Sequence, residues 1–129
     1  NARWISHFGA YGDGWFFTPV FIIGVAVFLT GYMINLHSDT VLMNLRKPGE
    51  TGYKIPQGGF YRWVSAPNYF GELLEWLGWA LATWSLAGLS FLVYTAANLG
   101  PRAVTNHKWY LEKFDDYPQE RKALVPFLF

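Results

Sequence analysis

Two stretches of the chain carry no Asp, Glu, Lys or Arg: the 25 residues from Gly14 to Ser38 and the 26 from Trp76 to Pro101. Each exceeds the roughly 20 residues that cross a hydrocarbon core about 30 Å thick. The pattern predicts an integral membrane protein and an all-α fold, a polytopic bundle of transmembrane helices in a single membrane domain. A first span is expected over about 19–36. It opens on Pro19, whose missing N–H costs nothing in a first helical turn. Within it Gly24, Ala26, Thr30 and Gly31 are small enough to let a neighbouring helix come close. Ahead of it, residues 1–17 read as an aromatic, Gly-rich loop with Trp15, Phe16 and Phe17 at the membrane interface.

The polar segment 37–67 carries Arg46, Lys47, Lys54 and Arg62 against Asp39 and Glu50. Its central piece, "RKPGETGYKIPQGG", is dense in Gly and Pro and predicts a loop. The interleaved Tyr53, Ile55, Phe60 and Tyr61 argue that this loop is ordered. The second apolar region, about 68–100, has an awkward length. The 32 residues from Asn68 to Leu99 are too many for one upright span and few for two. Lys and Arg mark both the 37–67 loop and the tail, 101–129, as cytosolic, yet a single crossing would part them. A bent hairpin near Ser85–Gly88 resolves the conflict, and a long tilted helix is the alternative. The tail is expected to be amphipathic, with Arg102, Asn106, Tyr110 and Lys113 at helical spacing on one face.

Composition changes this picture only at the margins. A mean hydropathy of +0.11 would suit a soluble protein, so the membrane signal lies entirely in how the charges are segregated. The net charge is +1 and no basic stripe interleaves with aromatics, which points away from a nucleic-acid partner. Cysteine is absent, excluding disulfides and thiolate chemistry. His7, His37 and His107 lack metal-ligand spacing, so no metal site is expected. Neither a dinucleotide glycine fingerprint nor a P-loop occurs. Any nucleotide would be gripped by side chains and loop amides, with residues 46–59 as the place for phosphate. The first five residues do not resemble a signal peptide. Because the chain opens on Asn1 and not Met, it is expected to belong to a longer protein.

The polar residues at the membrane margin are the candidates for chemistry. Asn35 and Asp39, four apart, project from one face at the end of the first span. They read either as helix-terminal groups meeting water or as an amide and a carboxylate that recognise a polar ligand. A carboxylate at a helix C-terminus is opposed by the helix dipole, so Asp39 is expected to find a partner in Arg46 or Lys47. Asn68, Glu72 and Glu75, at i, i+4 and i+7, share another face. Carboxylates there either face a bundle interior or wet cavity or sit among headgroups.

The strings "INLHSD", "LRKPGETGYKIPQGGFYRWVSAPNYFGELLEWLGWALATWSLAG" and "NHKWYLEKFDDYPQERKALVPFLF" resemble the C-terminal half of steroid 5-alpha-reductases, from about Tyr11 to Phe129. The resemblance implies a seven-helix membrane enzyme that uses NADPH to reduce the 4,5 double bond of 3-oxo-4-ene steroids. By matching motif positions it implies that Asn35, Asp39, Arg46, Tyr53, Lys54, Asn68, Glu72 and Tyr110 hold the cofactor. Glu72 and Trp76 match positions near the nicotinamide and the steroid pocket. Lys54 stands where the family often has Arg, which keeps the charge and loses bidentate phosphate geometry. Asn106 stands where some relatives have His.

The Glu and Tyr that polarise the steroid ketone in this family are expected upstream of Asn1, in an N-terminal half that completes the protein. The implied partners are a steroid or steroid-like enone and the lipid bilayer. The implied location is the endoplasmic reticulum in a eukaryote or the inner membrane in a bacterium. Competing readings are a related sterol reductase, an isoprenylcysteine-type methyltransferase, or a non-catalytic membrane scaffold.

Overall fold

A computed structural model describes all 129 residues. Three long helices dominate: α1, Pro19–Met43; α2, Pro67–Thr83; and α3, Leu86–Lys113. There are no strands, only one isolated parallel bridge between Val64 and Lys122. Each helix begins where local chemistry starts one. Thr18 caps α1 by accepting from the Phe21 N–H at 3.3 Å, with Pro19 following. Pro67 opens α2, and Ser85 caps α3 by accepting from the Gly88 N–H at 2.9 Å. Of the three, α1 is long and apolar enough to cross a membrane.

Helices α1 and α2 run antiparallel and touch backbone to backbone through paired glycines. A Cβ added at Gly24 would lie 2.4 Å from the Ala82 nitrogen, and one at Gly78 would lie 2.3 Å from the Phe28 nitrogen. One helical repeat away, a Cβ at Gly31 would meet the Gly71 carbonyl at 2.5 Å, and one at Gly71 would meet the Asn35 nitrogen at 2.6 Å. In both helices the glycines stand seven residues apart, which returns them to the same face. Only glycine permits such an approach, and close backbone packing is how helices associate without a hydrophobic drive between them.

The chain reverses at Trp84 and Ser85. Trp84, at φ 44°, adopts the left-handed conformation that ends α2. The reversal lays α3 back along α2: Gly88 approaches Ala80, and the Phe91 ring packs on Trp76 at 4.1 Å between centroids. The N-terminal segment closes this end. Trp15 Nε1 donates to the Ala82 carbonyl at 2.9 Å and the Tyr11 hydroxyl to the Thr83 carbonyl at 2.5 Å. Both partners are carbonyls that the end of a helix leaves unsatisfied.

Two expectations need correction. The first helix does not stop near Leu36 but continues to Met43, so His37, Ser38 and Asp39 are helical. Its last turns are held by the 56–62 segment: the His37 ring lies against Gly59, and the Tyr61 hydroxyl donates to the Ser38 carbonyl at 3.5 Å. The boundary expected at about 100–101, between the second apolar region and the tail, likewise falls inside a helix. Helix α3 continues past Pro101 to Lys113, and the packing of Ala103 against Ala66, Ala123 and Leu124 supports the turn beyond the proline.

Residues 114–129 fold back beside 63–66. The Ser65 N–H donates to the Lys122 carbonyl at 2.8 Å, the Lys122 N–H to the Trp63 carbonyl at 2.8 Å, and the Ala66 N–H to the Ala123 carbonyl at 3.2 Å. The start of α2 is thereby stitched to the C-terminal segment.

Replacing Gly31 or Gly71 by Leu should lower stability by about 2 kcal/mol or more, because backbone cannot step aside as a side chain can. Gly100→Ala, where a Cβ meets nothing within 4 Å, should be neutral or slightly stabilising. Unfolding midpoints in detergent distinguish the two. Equal effects at Gly100 and Gly71 would remove the paired-glycine account.

Candidate functional site

The glycine contact places the polar end of α1 against the first turns of α2. Asn35 Nδ2 donates to the Asn68 carbonyl at 3.2 Å, and Asn68 Nδ2 donates to Asp39 Oδ1 at 3.3 Å. All three side chains are half-buried. The partner of Asp39 is therefore the Asn68 amide, not Arg46 or Lys47, and the only ion pair in the chain lies elsewhere. The dipole objection to Asp39 also weakens, since the helix runs on for four residues beyond it. Glu72 is half-buried one turn along α2 from Asn68, and Trp76 one turn further, packed on Phe91 of α3.

A second group gathers where the 44–58 loop meets α3. The Arg46 guanidinium lies 5.8 Å over the Tyr53 ring, and Tyr53 meets Trp109 edge to face at 4.9 Å. Trp109 in turn meets Tyr110, and Tyr110 stacks on Tyr117 at 5.0 Å with an interplanar angle of 8°. Such aromatic pairs hold a loop that has no regular hydrogen bonding of its own. Lys54 is exposed and paired with Glu50, whose carboxylate also accepts from the Lys47 N–H at 3.2 Å. That ammonium holds the Glu50 carboxyl below the usual carboxylate range.

Tyr61 joins the two groups. It is almost wholly buried, bonds the backbone beside Asp39, and lies near Asp39, Tyr110, Tyr117 and Arg121. Burial pushes its phenol far up, and it pushes Tyr110 up as well. Both hydroxyls stay protonated at neutral pH and act as neutral donors or acceptors.

The expected helical face of Arg102, Asn106, Tyr110 and Lys113 splits. Tyr110 turns inward, while the other three are exposed. Residues that sequence reasoning did not single out complete the inner side. Ser65 Oγ lies 2.6 Å from both His107 Nδ1 and the Tyr117 hydroxyl. Arg121 is buried, donates from Nη2 to Gln57 Oε1 at 3.0 Å, and lies 5.1 Å over the Tyr117 ring. The one available signal was the basic tail. Nothing in its spacing separates a buried Arg121 from an exposed Lys108.

The arrangement offers amide and carboxylate groups at the end of an apolar helix, three cations on one loop, and stacked aromatic faces beside them. That donor set fits an elongated ligand carrying hydroxyls or an amide, anionic oxygens and a flat ring.

A family model described as 3-oxo-5-alpha-steroid 4-dehydrogenase matches residues 1–129. The chain is 56% identical over 128 residues to "3-oxo-5-alpha-steroid 4-dehydrogenase 1" of Mus musculus, covering 99% of this chain and 50% of that protein. It is 53% identical over 129 residues to the protein of the same name in Homo sapiens, with 100% and 50% covered. To "Steroid 5-alpha-reductase DET2" of Solanum lycopersicum it is 57% identical over 131 residues, again 100% and 50%. The chain thus spans about half the length of these curated relatives.

Burial, helped by Lys122, holds the His107 imidazole below its usual pKa. A base whose pKa is lower folded than unfolded binds fewer protons when folded. Its stabilisation is complete above about pH 6.5 and is lost as pH falls through the folded value. The unfolding midpoint should therefore fall between about pH 7.5 and pH 5.5, and His107→Gln should flatten that slope. Parallel slopes for the two proteins would show that His107 does not titrate this way.

Proposed function

Because the chain belongs to the 3-oxo-5-alpha-steroid 4-dehydrogenase family, we propose that the whole protein reduces the 4,5 double bond of 3-oxo-4-ene steroids with NADPH, and that these residues form the cofactor half of its site. The observation that carries the reading is the Asn35–Asn68–Asp39 cluster, seated where a membrane-length apolar helix meets a cationic loop. A steroid partitions into lipid and a dinucleotide into water. A site for both belongs at such a boundary.

In this reading Asn35, Asp39 and Asn68 orient the polar groups of the bound dinucleotide. Arg46 and Lys54 face its phosphates from the 44–58 loop, while Tyr53 and Tyr110 supply ring faces. When bound, NADPH supplies the hydride. The chain's own task is placement: holding the reacting partners in line and excluding water, which strengthens every donor aimed at the developing negative charge. Glu72 and Trp76, further along α2, mark the approach to the steroid. Donors to the ketone oxygen are assigned to the part of the protein outside these residues.

The polytopic arrangement follows the same logic. Helix α1 spans the bilayer, and α2 with the first part of α3 forms a hairpin that enters it from the cytosolic side. Trp84, Trp15 and Phe17, all at the hairpin's far end, sit at the opposite interface. The membrane is that of the endoplasmic reticulum in a eukaryote and the inner membrane in a bacterium.

In the full-length protein, Asp39→Ala should raise the Kd for NADPH by about tenfold or more, the cost of a lost charge-assisted bond. Lys54→Ala should weaken NADPH more than NADH if its ammonium meets the additional phosphate. Tyr110→Phe, which keeps the ring, should cost less than Tyr110→Ala. Cofactor fluorescence titrations read all three. Unchanged affinity in both Asp39→Ala and Tyr110→Ala would sink the assignment.

A further inference from the structure

Ser65, His107 and Tyr117 come from three parts of the sequence and meet in one hydrogen-bonded network that the cofactor reading leaves unused. Ser65 Oγ lies 2.6 Å from His107 Nδ1 and 2.6 Å from the Tyr117 hydroxyl. Ser65 and Tyr117 are buried, and the Tyr117 hydroxyl has no partner but Ser65. The serine carries one hydroxyl hydrogen, so it donates to one neighbour and accepts from the other. A phenol is a better donor than an aliphatic hydroxyl, and a neutral imidazole nitrogen is a better acceptor than a phenol oxygen. The network therefore runs from the Tyr117 O–H to Ser65 Oγ, and from the Ser65 O–H to His107 Nδ1. That direction requires a neutral imidazole with its proton on Nε2.

The network also lies between two residues of the candidate site. Ser65 precedes Asn68 by three residues, and His107 precedes Tyr110 by three on α3. Tyr117 stacks on Tyr110 with ring centroids 5.0 Å apart and planes 8° from parallel. We propose that Ser65, His107 and Tyr117 are positioning residues that set the ring of Tyr110 through the Tyr117 stack, and that they do so only while His107 is neutral. An imidazolium carries a hydrogen on both nitrogens. Nδ1 would then donate to Ser65, and Ser65 would turn its own hydrogen toward Tyr117. The buried Tyr117 hydroxyl would be left without an acceptor, at the cost of an unsatisfied polar group. The surroundings offer the cation no relief. Lys122 on the C-terminal segment is like-charged, no carboxylate pairs with the imidazole, Tyr110 on the same helix is a neutral phenol, and Arg121 lies 5.1 Å over the Tyr117 ring.

The test uses full-length protein in detergent with 3-fluorotyrosine in place of Tyr110, and reads the fluorine resonance without ligand at about pH 7.5 and pH 5.5. The parent resonance should move between the two. His107→Asn sets an oxygen where Nδ1 stood and does not titrate, so it should keep the parent's high-pH position at both. Tyr117→Phe leaves the ring and removes the hydroxyl, and should give a displaced resonance that no longer follows pH. Ser65→Ala, which breaks the network in the middle, should match it. A parent resonance that ignores pH overturns the proposal. So does one that follows pH equally in Tyr117→Phe, because His107 would then reach Tyr110 without the network.

The Kd for NADPH, read on unlabelled protein, rests on the function proposed above. The rise in Kd from the higher to the lower pH should be about fivefold larger in the parent than in His107→Asn, as for one lost hydrogen bond. Comparing the two proteins cancels any titration of the cofactor itself. If the resonances behave as expected and the Kd ratios do not differ, the positioning network stands and the assignment of Tyr110 to the cofactor falls.

Discussion

The contact between α1 and α2 through Gly24, Gly78, Gly31 and Gly71 sets the geometry of everything around it. Two backbones that touch cannot slide or rotate without collision, so the register between the helices is unique. That register puts Asn35 against the Asn68 carbonyl and Asp39 within reach of the Asn68 amide. A shift of one residue on either helix would turn these groups away from one another. The polar cluster is a consequence of the glycines, within a turn of Gly31 and Gly71 and further from Gly24 and Gly78.

The other constraint is the return of the C-terminal segment. Residues 121–124 pair with 63–66, so the loop that precedes α2, the start of α2 and the end of the chain form one body. Helix α3 brings Trp109 and Tyr110 to the same place from the far end of the hairpin. The 44–58 loop, with little backbone hydrogen bonding of its own, takes its shape from these aromatic surfaces and from Glu50, which gathers Lys54 and the Lys47 amide. Order in this long loop thus comes from rings packed against it and from one carboxylate of its own.

Polarity is layered along the molecule. One end, around Trp15, Trp84 and the capped carbonyls of α2, is aromatic and nearly free of charge. The other holds every cation of the 44–58 loop and the tail. One end of the molecule thus offers apolar walls and the other polar and charged groups.

Much of this was legible in the chain itself. Charge-free runs of 25 and 26 residues signal apolar helices, because a helix satisfies its backbone within the segment itself. Asn35 with Asp39, and Asn68 with Glu72, follow from helical periodicity alone. Gly24 and Gly31 signal a close approach, although which helix approaches is a property of the pair. What only the tertiary structure decided are the partners. Asp39 is answered by an amide and not by the cations nearest in sequence, α1 continues to Met43 because the 56–62 segment supports its last turns, and α3 passes Pro101 because Ala103 is packed. Above all, the sequence shows Arg121 as one basic residue among several in a tail. Burial depends on chain segments 64 residues apart in sequence meeting around it, and no local pattern encodes that meeting.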